Sequence, residues 1–134
     1  MMVDSSVWID LLRGSASPEA NHLRRAIRDS HPIELMGIIL TEVLQGVGSE
    51  QQAAKVAWTM RAFPVVGDLD AEDYRRAAAI FRACRTRGTT LRSSIDCVIA
   101  QACIRHDLEL LTRDRDFLAI AEVVPLRLLR AEAH

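Results

Sequence analysis

An α/β fold with a mainly parallel sheet of about five strands is what this chain predicts, and three observations carry it. Short apolar, β-like runs alternate with longer segments of helical periodicity. Most of those runs are bounded by turn residues or by an acid. Apolar residues make up 49% of the chain and charged residues 26%, enough for a packed core and unlike the composition of a disordered segment.

The elements follow in order. "MMVDS" reads as the first strand. "SVWIDLLRG" reads as a helix with Ser5 or Ser6 at its N-cap and Gly14 as its terminator, and "SPEANHLRRAIRDS" as a second helix with Pro18 in its first turn. "PIELMG" is the second strand. "IILTEVLQGV" and "SEQQAAKVAWTMRAF" are helices on either side of a break at Gly46 to Ser49, and "PVVG" is the third strand. From Asp70 to Arg87 the residues Tyr74, Ala77, Ala78, Phe81 and Cys84 recur at helical spacing, with arginines elsewhere on the wheel and Gly88 at the end. "GTTLRSS" is a loop, "SIDCVIAQACIRHD" a largely buried helix, "LELLT" the fourth strand, "RDFLAIAE" a short helix and "VPLRLL" the last strand. No repeat, linker or low-complexity tract interrupts this series, and a chain of 134 residues fits one domain, residues 1–134, that buries roughly 70% of its unfolded surface.

Charge and cysteine usage narrow the function classes. The formal net charge is -1, so no strong whole-molecule field draws in nucleic acid, and any polyanion must be met locally. Lys55 is the sole lysine; the other basic residues are arginines, whose planar fork matches phosphate or carboxylate. Cys84, Cys97 and Cys103 are odd in number, form no CxxC pair and fall within apolar helical patterns, which predicts reduced core thiols rather than a disulfide framework. "MMVDSSVWIDLLRG" has an acid at position 4, no basic leader and an apolar run too short for a signal peptide or a span. A cytoplasmic protein without membrane contact is the expectation.

Three apolar segments each carry a single acid. Asp4 is the only charged side chain from Met1 to Ile9, Glu42 from Leu35 to Val47, and Asp96 from Ser93 to Ile104. An unpaired buried carboxylate costs several kcal/mol, roughly, so each acid must neutralise, find a partner or hold a cation. Taken singly, each has an ordinary structural reading. Asp4 would cap the first helix, Asp96 would favour its helix dipole from the first turn, Glu42 would lie on an exposed edge, and Asp114 and Asp116 would be a cap and a solvated acid. Taken together they point elsewhere. Asp4 and Asp114 both follow predicted strands, where open α/β sheets bind ligands, and Asp96 opens the helix leading into strand four. Carboxylates converging within about 4 Å repel by roughly 4 kcal/mol per pair at an effective dielectric of about 20, so such a cluster calls for a cation. Oxygen-only donors suit magnesium or manganese; zinc would call for His or Cys, and His22, His31, His106 and His134 show no paired ligand spacing. Acidic magnesium sites are typical of phosphoryl transfer.

At this point the chain resembles a PIN-domain ribonuclease, in particular a VapC-type toxin of a type II toxin and antitoxin pair. The resemblance spans essentially the whole chain and rests on "VDSSVWIDLL", on Glu42 in "LTEVLQG", on "LRSSIDCVIAQAC" around Asp96 and on "LLTRDRDF", in family order. It implies a three-layer α/β/α domain. It also implies that Asp4, Glu42, Asp96 and one or both of Asp114 and Asp116 hold one or two divalent ions, Mg2+ or Mn2+, supported by hydroxyls at Ser6 and Thr112. Ser5 departs from the family's usual threonine, keeping the hydroxyl and losing a packing methyl. The implied reaction is hydrolysis of an RNA phosphodiester by metal-activated water, with transfer, ribosomal or messenger RNA as the substrate class.

Arg82, Arg85, Arg87 and Arg92 surround the loop before Asp96, and Arg113 and Arg115 flank Asp114; solvated helix faces are the competing account for each. Of these, Arg87, Arg92, Arg113 and Arg115 are the candidates for RNA or partner contact. Aromatics at 4% argue against a base-stacking platform. The resemblance further implies a homodimer, hetero-oligomers with a cognate VapB-type antitoxin, and an antitoxin segment that can insert a basic residue among the acids. Trp8, Leu12, Val56 and Trp58 are candidate interface residues, against ordinary core packing. Two rivals compete. A magnesium-dependent phosphoacceptor domain would need a late lysine and DxDx[TV] after strand one, and the chain has neither. A catalytically silent PIN-like binding module would lack acids that are all present here.

Overall fold

The computed structural model describes residues 1–131; His134 lies outside the described residues. Regular strand pairing joins β1 (Met2–Val3) to β2 (Leu110–Leu111) in parallel, with Met2 opposite Leu110 and Val3 opposite Leu111. Three single parallel bridges extend the sheet, Met2 to Glu34, Leu35 to Val65 and Leu110 to Leu128. The five runs anticipated from the sequence therefore lie side by side in the order third, second, first, fourth, fifth. All five are shorter than the runs read from the sequence, two residues in β1 and β2 and single bridges in the others. In those three others Pro32, Pro64 and Pro125 stand one to three residues before a bridging residue, and proline brings no N–H to a ladder.

The helices are α1 (Ser5–Leu12), α2 (Pro18–Arg28), α3 (Gly37–Gln45), α4 (Glu50–Met60), α5 (Ala71–Thr86), α6 (Ser94–Arg105) and α7 (Asp116–Val123). Their ends have local causes. Ser17, Ser49 and Ser93 accept the first-turn N–H groups of α2, α4 and α6, and Asp70 with Asp73 forms a capping box on α5. Gly14 and Gly88 follow α1 and α5 at φ 74° and 91°, a conformation that costs glycine little and other residues more. One cap differs from expectation. Asp4, not Ser5 or Ser6, occupies the N-cap position of α1, and its side chain makes no capping bond.

Strand order explains the layers. The chain moves from the first run outward to the third through α1 to α4, then crosses back to the fourth and fifth through α5 to α7. Right-handed crossovers running in opposite directions put their helices on opposite faces, and the packing agrees: α1 meets α2 and α3, whereas α5, α6 and α7 pack on one another. The result is a three-layer α/β/α fold. Its core includes Met2, Val3, Leu35, Ile39, Ile99, Leu110, Leu111 and Phe117, each fully buried. Among the described residues, no helix is long and apolar enough to cross a membrane.

Trp8 and Val56, offered by the sequence as exposed interface residues, belong to this core. Trp8 is 3% exposed and meets Phe63 at 5.1 Å between ring centroids. Trp58 is 71% exposed, with the Arg61 guanidinium 5.3 Å from its ring centroid, and Leu12 is also exposed. An isolated helical wheel does not show which side meets the rest of the fold.

Candidate metal centre

The direction of chain travel reverses between the first and fourth runs, which are the paired strands β1 and β2. Side-by-side strands whose connections leave in opposite directions open a crevice at their carboxyl ends. Asp4 is the residue after β1, and its N–H donates to the Leu111 carbonyl at 3.0 Å. Thr112 is the residue after β2. Adjacency of the two strand ends thus brings side chains far apart in sequence into contact.

Asp4 is buried, and its Oδ2 accepts two hydroxyls, Ser6 at 2.8 Å and Thr112 at 2.9 Å. Those bonds replace the helix-capping role that the sequence left open. The same hydroxyls also accept backbone donors, Ser6 from Arg113 at 3.1 Å and Thr112 from Asp114 at 3.0 Å. Ser6 and Thr112 therefore tie the loop after β2 to the start of α1. The sequence attached no such role to Ser5, whose hydroxyl donates to Glu42 Oε1 at 3.3 Å. The signals available for it were its place beside Ser6 and the hydroxyl it keeps where the resembled family usually has threonine.

Asp96, Asp114 and Asp116 each bring one carboxylate oxygen into a group whose members lie within 4.8 Å of one another. All three are half-buried. Asp96 stands in the first turn of α6, behind its Ser93 cap. Asp114 Oδ1 accepts the Asp116 N–H at 3.0 Å, which fixes the turn into α7. Asp4 and Glu42 are not members of that group but act on it through their charge: the Asp96 carboxyl is pushed up to about 7, first by burial and then by the charges of Asp114, Asp4, Asp116 and Glu42. Burial, followed by the charge of Asp4, raises Glu42 as well, against the opposing Ser5 hydrogen bond. Carboxylate oxygens at this spacing, without a histidine or cysteine in the group, fit a hard divalent cation such as magnesium or manganese.

Residues 1–123 match the PIN domain family. The chain is 33% identical over 128 residues to ribonuclease VapC11 of Mycobacterium tuberculosis and to VapC ribonuclease Mb1587 of Mycobacterium bovis, covering 95% of this chain and 96% of each relative. The chain belongs to the PIN-domain family of VapC ribonucleases. Solved structures agree on the fold: VapBC2 from Rickettsia felis bound to a promoter DNA fragment has a TM-score of 0.73 at 15% identity, covering 96% of each chain. FitAB bound to the IR36 DNA fragment has a TM-score of 0.67 at 18% identity, covering 99% of this chain and 98% of that one.

The four arginines singled out in this PIN domain fall into different settings. Arg92 donates from Nη2 to Asp114 Oδ1 at 2.7 Å and from Nε to Asp116 Oδ2 at 3.4 Å. Arg113 is committed elsewhere, its guanidinium bonding Asp10 and lying 3.7 Å from Glu19. The Ser17 hydroxyl and then the Arg113 charge hold the Asp10 carboxyl below its ordinary range, against its partial burial. Arg113 thereby clips the acid-bearing loop to α1 and α2. Arg87 reaches the end of α7, donating to the Glu122 carbonyl at 3.3 Å. Arg115 is exposed and occupies the N-cap position of α7. A groove of about 770 Å³ runs from Asp114 past Arg113, Arg115 and Leu118 to Leu129 and Arg130.

Cys84, Cys97 and Cys103 are buried free thiols. Burial pushes Cys97 and Cys103 up to about 12, which keeps them protonated and unreactive at neutral pH.

Proposed function

We propose that this chain is a Mg2+- or Mn2+-dependent endoribonuclease, the cytoplasmic toxin of a toxin and antitoxin pair, cutting RNA by hydrolysis. The observation that carries the proposal is the convergence of Asp96, Asp114 and Asp116 at the carboxyl ends of β1 and β2, with Asp4 and Glu42 close enough for their charges to raise Asp96. Its kinship with named ribonucleases supports RNA as the substrate class.

Asp96, Asp114 and Asp116 would hold one or two ions. Asp4, fixed by Ser6 and Thr112, would complete the donor set. When bound, a divalent ion supplies Lewis acidity, lowering the pKa of water and offsetting phosphate charge. Glu42, steadied by Ser5, is assigned the orientation of the attacking water and the holding of its proton. Water adds across the P–O bond, and the strand leaves as two ends. Arg115 and Arg130, exposed along the groove beside Asp114, are assigned to neighbouring RNA phosphates. Arg113 serves chiefly to position the loop, because its guanidinium is already paired.

The test is direct. Purified, partner-free protein incubated with total bacterial RNA in magnesium or manganese should produce discrete new ends by sequencing, and chelator should abolish them. Folded, metal-loaded protein that leaves transfer, ribosomal and messenger RNA intact would replace this reading with that of a silent PIN-like binding module.

A VapB-type antitoxin, a homodimer and their hetero-oligomer are the proposed partners. Trp58 and Leu12 are large apolar side chains on the surface, as interface anchors require. Trp58→Glu should shift the elution of the dimer or of the antitoxin complex toward smaller species without lowering the melting temperature. An unchanged profile for both would remove Trp58 from either interface.

A further inference from the structure

We infer that Arg92 is an internal counter-cation: it closes the acid cluster in the metal-free protein, yields to the incoming divalent ion, and is then free to take an RNA phosphate. The inference rests on the metal reading above and adds a regulation of that site.

Four features carry it. First, the guanidinium spans two of the three clustered carboxylates, Asp114 at 2.7 Å and Asp116 at 3.4 Å. The oxygens it uses are also occupied by the backbone: Asp114 Oδ1 takes the Asp116 N–H at 3.0 Å, and Asp116 Oδ2 takes the Arg92 N–H at 3.2 Å. A carboxylate oxygen has few lone pairs to share, so an ion using those atoms must displace a donor. The side chain is the donor able to leave.

Second, the side chain can leave. The Arg92 side chain is 75% exposed, so water can solvate the departing guanidinium, while the half-buried acids it leaves would receive the divalent ion. Third, the Arg92 backbone N–H stays on Asp116 when the side chain swings away, so the loop keeps its anchor. Ser93, the next residue, caps the helix that carries Asp96. Fourth, the other arginines near the acids are not on them: Arg113 is held by Asp10 and Glu19, Arg87 lies against Glu122, and Arg115 lies exposed along the groove. Once displaced, Arg92 is a planar two-donor fork at the rim of the proposed reaction site, the geometry that phosphate accepts in pairs.

Manganese binding without RNA, measured by electron paramagnetic resonance of the free ion, tests the first half. Arg92→Ala should bind Mn2+ about fivefold tighter than wild type, roughly the loss of one exposed ion pair. Arg92→Lys, which keeps the charge but cannot span both carboxylates, should fall between the two. Arg115→Ala removes a nearby charge that is not on the acids and should change the affinity less than about twofold. An equal gain in Arg115→Ala and Arg92→Ala would reduce the effect to net charge and overturn the latch, as would unchanged or weaker binding by a folded Arg92→Ala. The second half predicts that Arg92→Ala at saturating Mn2+ raises KM for RNA about fivefold with a smaller change in kcat; an unchanged KM would overturn the phosphate role. Wild-type protein that binds no Mn2+ would overturn the metal reading itself, an outcome distinct from equal binding by wild type and Arg92→Ala.

Discussion

Asp96→Asn is expected to lower RNA cleavage by more than about a hundredfold while leaving the circular dichroism spectrum unchanged. Amide oxygen is a weak donor to a hard cation, and even outer-shell changes around a metal site commonly cost tenfold to about a hundredfold. Asp4→Asn is expected to behave alike, and retained activity in both variants would sink the mechanism. The same substitution has a second, independent signature in metal-free protein. In the folded chain burial and the neighbouring carboxylates push the Asp96 carboxyl up to about 7, against about 3.9 in an unfolded chain. Between those values the folded state holds the proton that the unfolded state has lost. Stability must therefore fall as pH rises from about 4 to about 7. Because Asp96 is only half-buried, solvent screening reduces the effect to about 1–2 kcal/mol. Thermal melts in chelator should show Asp96→Asn more stable than wild type at pH 8, with the difference shrinking toward pH 5. A difference of the same size at both pH values would mean that the acids are not coupled as described.

How far the sequence anticipated this site depends on which kind of information each residue carries. All five strand runs and the seven helices among the described residues were legible, because periodicity and end signals are local properties of the chain. That the acids meet was legible only in outline. Asp4 and Asp114 could be assigned to strand ends, but the adjacency of those ends follows from sheet order, which no local pattern encodes. Two kinds of detail were out of reach. Ser5 supporting Glu42 requires the relative rotation of α1 and α3, and the burial of Trp8 and Val56 depends on which face of each helix meets the core. The arginines show the same limit. Lying around the loop before Asp96 or flanking Asp114 in sequence placed Arg92, Arg113 and Arg115 in one class, whereas the fold pairs the first with the acids, binds the second to α1 and α2, and leaves the third exposed.

Asp73→Ala is expected to produce the largest loss of stability, although no sequence feature had set Asp73 apart from the other charged residues of α5. Asp73 is 4% exposed and accepts from the Asp70 N–H at 3.0 Å, from Gln101 Nε2 at 3.0 Å and from Arg105. Its oxygens thus close the capping box of α5 and bind that helix to α6. Those bonds, led by the Asp70 N–H and then Gln101, with Arg105 also contributing, hold the carboxyl down to about 2. Removing it strands the buried Gln101 amide and, among the described residues, leaves Arg105 only the Asp70 carboxylate, at 3.3 Å. A fall in melting temperature of roughly 5–10 °C at pH 7 is expected for a chain of this size. Asp73→Asn, which keeps one acceptor oxygen, should fall less. The pH dependence runs opposite to that of Asp96: a depressed carboxyl stabilises the fold above about 3.9 and loses that contribution as pH falls through about 2. The gap between wild type and Asp73→Ala should therefore narrow in melts below pH 3. Because α6 carries Asp96, the variant also separates fold from chemistry. At 25 °C, where it remains folded, its cleavage should stay within about threefold of wild type, whereas a loss as deep as that of Asp96→Asn would mean that the α5–α6 tie positions the acid directly.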